Sequence, residues 1–258
     1  MQGPDLSNNL IGILMQFWDE PYTVVTDIES MFPQAKVDPL DCDTLRFLWW
    51  PNGELHSTQA EYKMTGHVSG ATSSPSCASF CLLTTAQNNK EAFPSKIMNT
   101  VKRNFYVDDC LKSVRTGHNA RLLVSMLTEL LSRAGFSLRK WMSNDWEVLA
   151  SIPPNQCVKS VVNLDLDKMP NKHALRLQWN VENDGLTFKV IAKERPPTCR
   201  GIMSVASSVY DPLGFLAPFT LLAKLFLQEL CRKKIGWDEE VHRRSSSERL
   251  EGLANCFA

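Results

Sequence analysis

The chain has 258 residues, 43% hydrophobic and 22% charged, a balance that supports a sizeable core in one or two globular units. Basic and acidic residues cancel at 28 each and the pI is near 6.9, which excludes nucleic-acid binding driven by bulk charge alone. No apolar run approaches eighteen residues and the opening MQGPDLSNNL is polar, so no membrane partner is expected, and the reading is a cytoplasmic or nuclear protein.

From the N-terminus, Leu6, Leu10, Ile13, Leu14 and Phe17 recur at helical spacing, which predicts a helix over 5–18. Tyr22 to Thr26 is a β-rich run ending at Asp27, with a short helical turn through Phe32 after it. Strands are expected at 44–50 and 60–65, with Pro51-Asn52-Gly53 as a turn between them. In Gly70 to Phe80 the glycine and hydroxyl residues make a loop, Ser74 is placed to cap, and Pro75 suits the first helical position. That helix should reach about Gln87, and a second, short one should follow near 95–103.

Next, Asn104 to Val107 reads as a strand entering a turn and Cys110 to Val114 as the strand leaving it, with Asp108 and Asp109 between. Residues 119–133 form an amphipathic helix, with Leu122, Leu123, Met126, Leu127, Leu130 and Leu131 on one face and Gly135 as its stop. The order of elements gives an α+β fold, an antiparallel sheet with helices on one face. The chain changes character from about Ser151, with Ile152-Pro153-Pro154 as a linker. A hairpin is expected around Asn183-Asp184-Gly185, between 175–181 and 186–191. Thr198 should cap a helix reaching Val209, and Tyr210 to Gly214 should turn the chain into a long helix over 217–234.

Two adjacent aspartates in a tight turn repel, so Asp108 and Asp109 need a cation or full solvation. Asp27, at the end of another strand, is placed to meet them, and shared carboxylates are what two-metal phosphoryl chemistry requires. Hard oxygen ligands suit Mg2+ (or Mn2+). Phe32 would cover the sugar of a nucleotide, and small residues after Gly70 would let a template strand approach the backbone. Each feature also has a plain local reading: a solvated hairpin turn, a core phenylalanine, a well-capped helix. Eight cysteines show neither CxxC nor Cys/His ligand spacing, so neither zinc nor a disulfide framework is supported and reduced thiols are expected.

In this order, the elements resemble a reverse-transcriptase palm of the DNA/RNA polymerase superfamily, and specifically the polymerase of Pao/BEL-type LTR retrotransposons. The resemblance rests on DIESMFPQAKV (27–37), LRFLWWPNG (45–53), GATSSPSCASF (70–80), NFYVDDCLKSV (104–114), GFSLRKWMSN (135–144) and SSVYDPLGFLAPF (207–219). It implies that Asp27, Asp108 and Asp109 are the catalytic metal-binding triad and Phe32 the sugar gate. Gly70, Ser74 and Pro75 would then face template and nucleotide, and Lys140 would lie beside the leaving pyrophosphate. The implied partners are an RNA or DNA primer–template and deoxynucleotides. The resemblance divides the chain into a palm over 1–150 without fingers, a small α/β thumb or connection region over 151–241, and a divergent tail over 242–258. No RNase H or integrase segment is expected, and without fingers the chain alone should extend a primer poorly. Ser69 and Pro33 depart from the family pattern.

Two other readings stand beside this one. A transposon remnant could act as a non-catalytic nucleic-acid- or protein-binding scaffold. A nuclease on the same carboxylates fits less well, because Phe32 and the 70–80 loop serve nucleotide selection. Proteolysis is unsupported, since neither Asp184-Gly185 nor Asp211-Pro212 is an aspartic-protease loop.

Overall fold

The computed structural model describes residues 3–158, strand segments 172–174, 177–180 and 185–187, and residues 195–209 and 211–241. The chain divides into two units, Met1–Lys168 and Met169–Ala258. The change of character expected at Ser151 falls inside the first, where the backbone of Val158 still bonds to Trp141.

In the first unit the elements run α1 (Leu10–Phe17), β1 (Tyr22–Ile28), α2 (Met31–Gln34), β2 (Arg46–Trp49), β3 (Ala60–Lys63), α3 (Ser74–Asn88) and α4 (Ser95–Arg103). They continue with β4 (Phe105–Tyr106), β5 (Asp109–Val114), α5 (Gly117–Ser132), β6 (Leu138–Ser143) and α6 (Trp146–Ala150). A four-stranded antiparallel sheet has the order β4-β5-β1-β6, which puts β1 in the centre. Because strand side chains alternate, Val24 and Ile28 of β1 and Cys110 of β5 point to one face. They share a core with Leu82 of α3, Val101 of α4 and Leu127 of α5. Each such aliphatic side chain, fully buried, contributes about 1.5–3 kcal/mol.

The other face carries Val25, Asp27, Leu111 and Ser113. Helix α1 covers its far end, where the Ser113 hydroxyl donates to the Gln16 carbonyl at 2.9 Å. α1 begins at Leu10, not Asp5: the Asp5 carboxylate accepts from Ser7 N and holds that stretch in a turn, and Asn9 caps the helix. Helix α5 begins at Gly117, capped by Thr116, and buries Ala120 and Val124 while Leu122 is exposed. Gly135, with φ 81°, closes it: its amide donates to Ser132 and that of the buried Phe136 to Leu131, a Schellman motif.

Strands β2 and β3 form a separate hairpin, shorter than expected. One face holds Phe47, Trp49 and Tyr62, 41%, 52% and 40% exposed; on the other, Arg46 pairs with Asp43 and Glu61, and Lys63 with Asp43.

The second unit contains an antiparallel meander of β7 (Lys172–Ala174), β8 (Leu177–Asn180) and β9 (Gly185–Thr187), then α7 (Cys199–Ala206) and α8 (Ala217–Arg232). Asn180 pairs with Gly185, so the expected hairpin is present; its turn residues Asn183 and Asp184 lie outside the described residues. The Thr198 hydroxyl caps α7 through Gly201 N at 3.0 Å. That helix ends at Ala206 rather than Val209, and Tyr210 lies outside the described residues. The Asp211 carboxylate accepts from the amides of Phe215 and Leu216 ahead of α8, whose Phe226, Leu227 and Leu230 pack with Cys199 and Val241. The tail over 242–258 is outside the described residues. Among the described residues every cysteine is free, and no helix is long and apolar enough to cross a membrane.

Candidate functional site

Strand pairing brings the first two candidate residues together. β1 and β5 are antiparallel with Asp27 directly opposite Asp109, so both carboxylates stand on the sheet face that α1 leaves uncovered at this end. Asp108 sits in the turn between β4 and β5, where Tyr106 pairs with Asp109 and leaves Val107 and Asp108 as the two turn residues. Val107 has φ 55°, at a position where such a turn normally takes glycine. A β-branched residue held there costs about 1–3 kcal/mol, and core packing of its side chain helps to hold it. The Ile28 amide donates to the Asp108 carbonyl at 2.9 Å, which clamps the turn to the end of β1.

Lys140 reaches the site through a β-bulge. Val25 pairs with Met142 and Asp27 with Arg139, so two residues, Lys140 and Trp141, lie opposite Thr26 alone. Lys140 takes φ 53°, and its ammonium donates to Asp27 Oδ2. The Thr26 hydroxyl donates to the Arg139 carbonyl at 2.8 Å and ties down the bulge. The other Asp27 oxygen, Oδ1, is buried and has no hydrogen-bond partner. Arg139, next to Lys140, pairs with Glu29 at 3.1 Å.

The electrostatics follow from burial and crowding. Burial, reinforced by the charges of Asp108 and Asp27, pushes the Asp109 carboxyl up to about 6. Asp108 is also raised, by burial first and by Asp27 in addition, while its own backbone amide and Lys140 oppose the shift. The hydrogen bond to Asp27 raises Lys140.

The three carboxylates were expected to stand ready to share a metal ion. Instead, among the described residues no three His, Cys, Asp or Glu side chains are gathered closely enough to hold one. The physical reason is repulsion among like charges, and Asp27 is paired with the cation of Lys140. Lys140 was expected beside a leaving group, and its bond to Asp27 was not anticipated. The signal was in the sequence, since Leu138, Arg139, Lys140, Trp141 and Met142 run apolar, polar, polar, apolar, apolar and break period two at the bulge.

The nucleotide-facing candidates lie on α2 and at the start of α3 and the loop before it. Phe32, in α2, is half-buried against the core. Backbone pairing of Ala35 and Val37 with His67 and Thr65 draws the following loop toward α2, and the Gly66 position has no room for a side chain against the Pro33 carbonyl. Gly70 turns the chain with φ 93°. Ser74 does not cap α3 as expected: it lies inside the first turn, and its hydroxyl donates to the Val68 carbonyl at 2.7 Å, because the loop brings that acceptor within reach. Pro75 occupies the first turn.

A family model described as the Pao retrotransposon-like RNaseH-like domain matches residues 198–255. The match runs past Val241, where divergence was expected, and its description departs from the expectation of no RNase H segment. Among the described residues of that stretch the elements are α7, α8 and one isolated bridge between Thr198 and Glu240. No curated protein matches the chain. Among solved structures, a foamy viral protease-reverse transcriptase bound to an RNA/DNA hybrid is similar with TM-score 0.61 and 16% identity, over 97% of this chain and 29% of that one. A dRH form of the foamy viral protein bound to double-stranded DNA gives TM-score 0.63 and 15% identity, over 97% and 37%. A further double-stranded DNA complex of the foamy viral protein gives 0.59 and 14%, over 100% and 46%. The chain thus spans less than half of the structures it resembles, and at these identities the likeness shows a shared fold: mixed α and β with an antiparallel sheet.

Proposed function

We propose that residues 1–150 are the palm of an RNA-directed DNA polymerase of retrotransposon type and that residues 151–241 act as its thumb or connection. The observation that carries this reading is Asp27 facing Asp109 across paired strands at the open end of a sheet face, with Asp27 Oδ1 buried and unpartnered. An acceptor-only donor set with an orphan carboxylate oxygen suits a divalent cation, Mg2+ or Mn2+, and Asp27, Asp108 and Asp109 would hold it. When bound, it would supply activation of a primer 3′-hydroxyl and stabilisation of the departing pyrophosphate.

The chain's own residues prepare that chemistry. Asp109, whose carboxyl is raised by burial and by the neighbouring Asp108 and Asp27, must give up its proton to ligate, and a divalent cation would favour that ionised form. Phe32 would pack on the sugar of the incoming deoxynucleotide and disfavour a 2′-hydroxyl, while the Gly70–Pro75 loop approaches the template strand. Lys140 would meet pyrophosphate oxygens. The partners proposed are an RNA or DNA primer–template and deoxynucleotides, in keeping with the nucleic acids bound to the similar foamy viral structures.

The test is nucleotide-dependent retention of a labelled RNA/DNA hybrid in MgCl2. The next complementary deoxynucleotide should tighten binding in the wild type and not in Asp108→Asn. Equal gains in both proteins would sink the reading. A non-catalytic scaffold is favoured by one observation, that Asp27 already holds a cation in Lys140. Hybrid binding indifferent to both metal and nucleotide would select it.

A further inference from the structure

The Asp27 carboxylate is only 14% exposed, whereas the Lys140 side chain paired with it is 72% exposed. A carboxylate that far from water needs a counter-charge, because a buried charge stripped of its partner is strongly destabilising. Lys140 meets that need from a costly position, the left-handed residue of a β-bulge, which aims its side chain at Asp27. Its exposed stem is free to swing into solvent with little loss of packing.

We propose that Lys140 is an exchangeable counter-cation: it neutralises Asp27 in the metal-free protein and leaves it when a divalent ion binds. The inference rests on the metal-site reading above and extends it to how the empty and loaded states interconvert. A divalent ion and an ammonium cannot share one carboxylate without mutual repulsion at short range. The ion also carries a second charge that the ammonium lacks, to set against Asp109, which stands opposite Asp27 across the paired strands. Metal binding and Lys140 release are therefore one event, and the ammonium becomes available to an anionic ligand only after the metal has arrived. The pair between Arg139 of β6 and Glu29, one residue past the end of β1, does not exchange and serves as the internal control.

The experiment measures melting of the full chain, in chelator and in saturating MgCl2, for wild type, Lys140→Met, Lys140→Arg and Arg139→Met. In chelator Lys140→Met should melt roughly 3–6 °C below wild type. In saturating MgCl2 that gap should close, because Lys140 no longer contributes. The MgCl2 half-saturation point should fall about three- to tenfold in Lys140→Met, since no ammonium has to be displaced. Lys140→Arg should follow wild type, and any Arg139→Met gap should be the same in both conditions. A second measurement needs no variant: MgCl2 should speed acylation of the Lys140 amine in wild type, read by mass spectrometry. A Lys140→Met gap that persists in saturating MgCl2, or an acylation rate that magnesium leaves unchanged, overturns the exchange. If MgCl2 shifts neither wild type nor Lys140→Met, the metal-site reading itself has failed and the exchange falls with it.

Discussion

The two faces of the four-stranded sheet are built from alternate residues of the same strands, yet they are stabilised in opposite ways. The helix-covered face is a closed apolar core around Val24, Ile28, Cys110 and Leu127, where each buried group gains from leaving water. One residue along each strand, the other face places Asp27 opposite Asp109, and there burial raises free energy and a lysine must offset it. The first face accounts for stability. The second draws on it, together with the backbone cost at Val107 and Lys140.

The largest break in this comparison comes from the covered face. Leu130 is fully buried, so Leu130→Ala should cost about 2–5 kcal/mol in urea unfolding. It should leave the melting shift produced by MgCl2 unchanged in the protein that remains folded.

Asp109→Asn should act in the reverse sense. Removing a half-buried charge should stabilise the metal-free protein at pH 7 by about 1–2 kcal/mol, discounted for partial solvation. It should also abolish the MgCl2 response. The pH dependence follows with the same sign. The Asp109 carboxyl is raised from 3.8 to about 6, so its favourable contribution is complete below pH 4 and is lost as pH rises through 6. The metal-free wild type should therefore weaken between pH 4 and pH 6, and Asp109→Asn should flatten that slope in parallel urea titrations. The MgCl2 shift should grow over the same interval, since only the ionised carboxylate binds metal.

Smaller effects mark the boundaries. Thr198→Ala removes the cap of α7 and should cost about 1 kcal/mol in the second unit, without altering the metal response. Arg121→Gln breaks an exposed pair with Glu147 and should change stability by less than about 0.5 kcal/mol. A larger loss from Arg121→Gln than from Thr198→Ala would show that surface charge matters more to this fold than the comparison allows.

What the sequence disclosed was whatever is decided locally. The 95–103 helix, the Gly135 stop and the Thr198 cap were legible because periodicity, a left-handed glycine and a hydroxyl before a helix each act within a few residues. The meeting of Asp27 with the Asp108-Asp109 turn was legible as chemistry, since carboxylates at strand ends invite one cation. For the Lys140 bond only the break in period two over 138–142 was legible; the partner depends on the register between β1 and β6, which is settled by their pairing. Ser74 failed as a cap for a related reason: a hydroxyl near a helix start has several acceptors, and only the folded loop brings Val68 close enough to win. Leu122 faces outward because, at 100° per residue, it falls on the far side of α5 from the stripe of Ala120, Leu123, Val124, Leu127, Leu130 and Leu131, which is what the helix buries.

The one-sided hairpin of β2 and β3 bears on how these molecules treat one another at high concentration. Phe47, Trp49 and Tyr62 put aromatic surface into water, while Arg46 and Lys63 direct their charge inward to Asp43 and Glu61. With a pI near 6.9, neutral buffer supplies no net repulsion to keep such faces apart. Crowded molecules at pH 7 are therefore expected to associate through this patch, and Trp49→Thr should lower that association in light scattering.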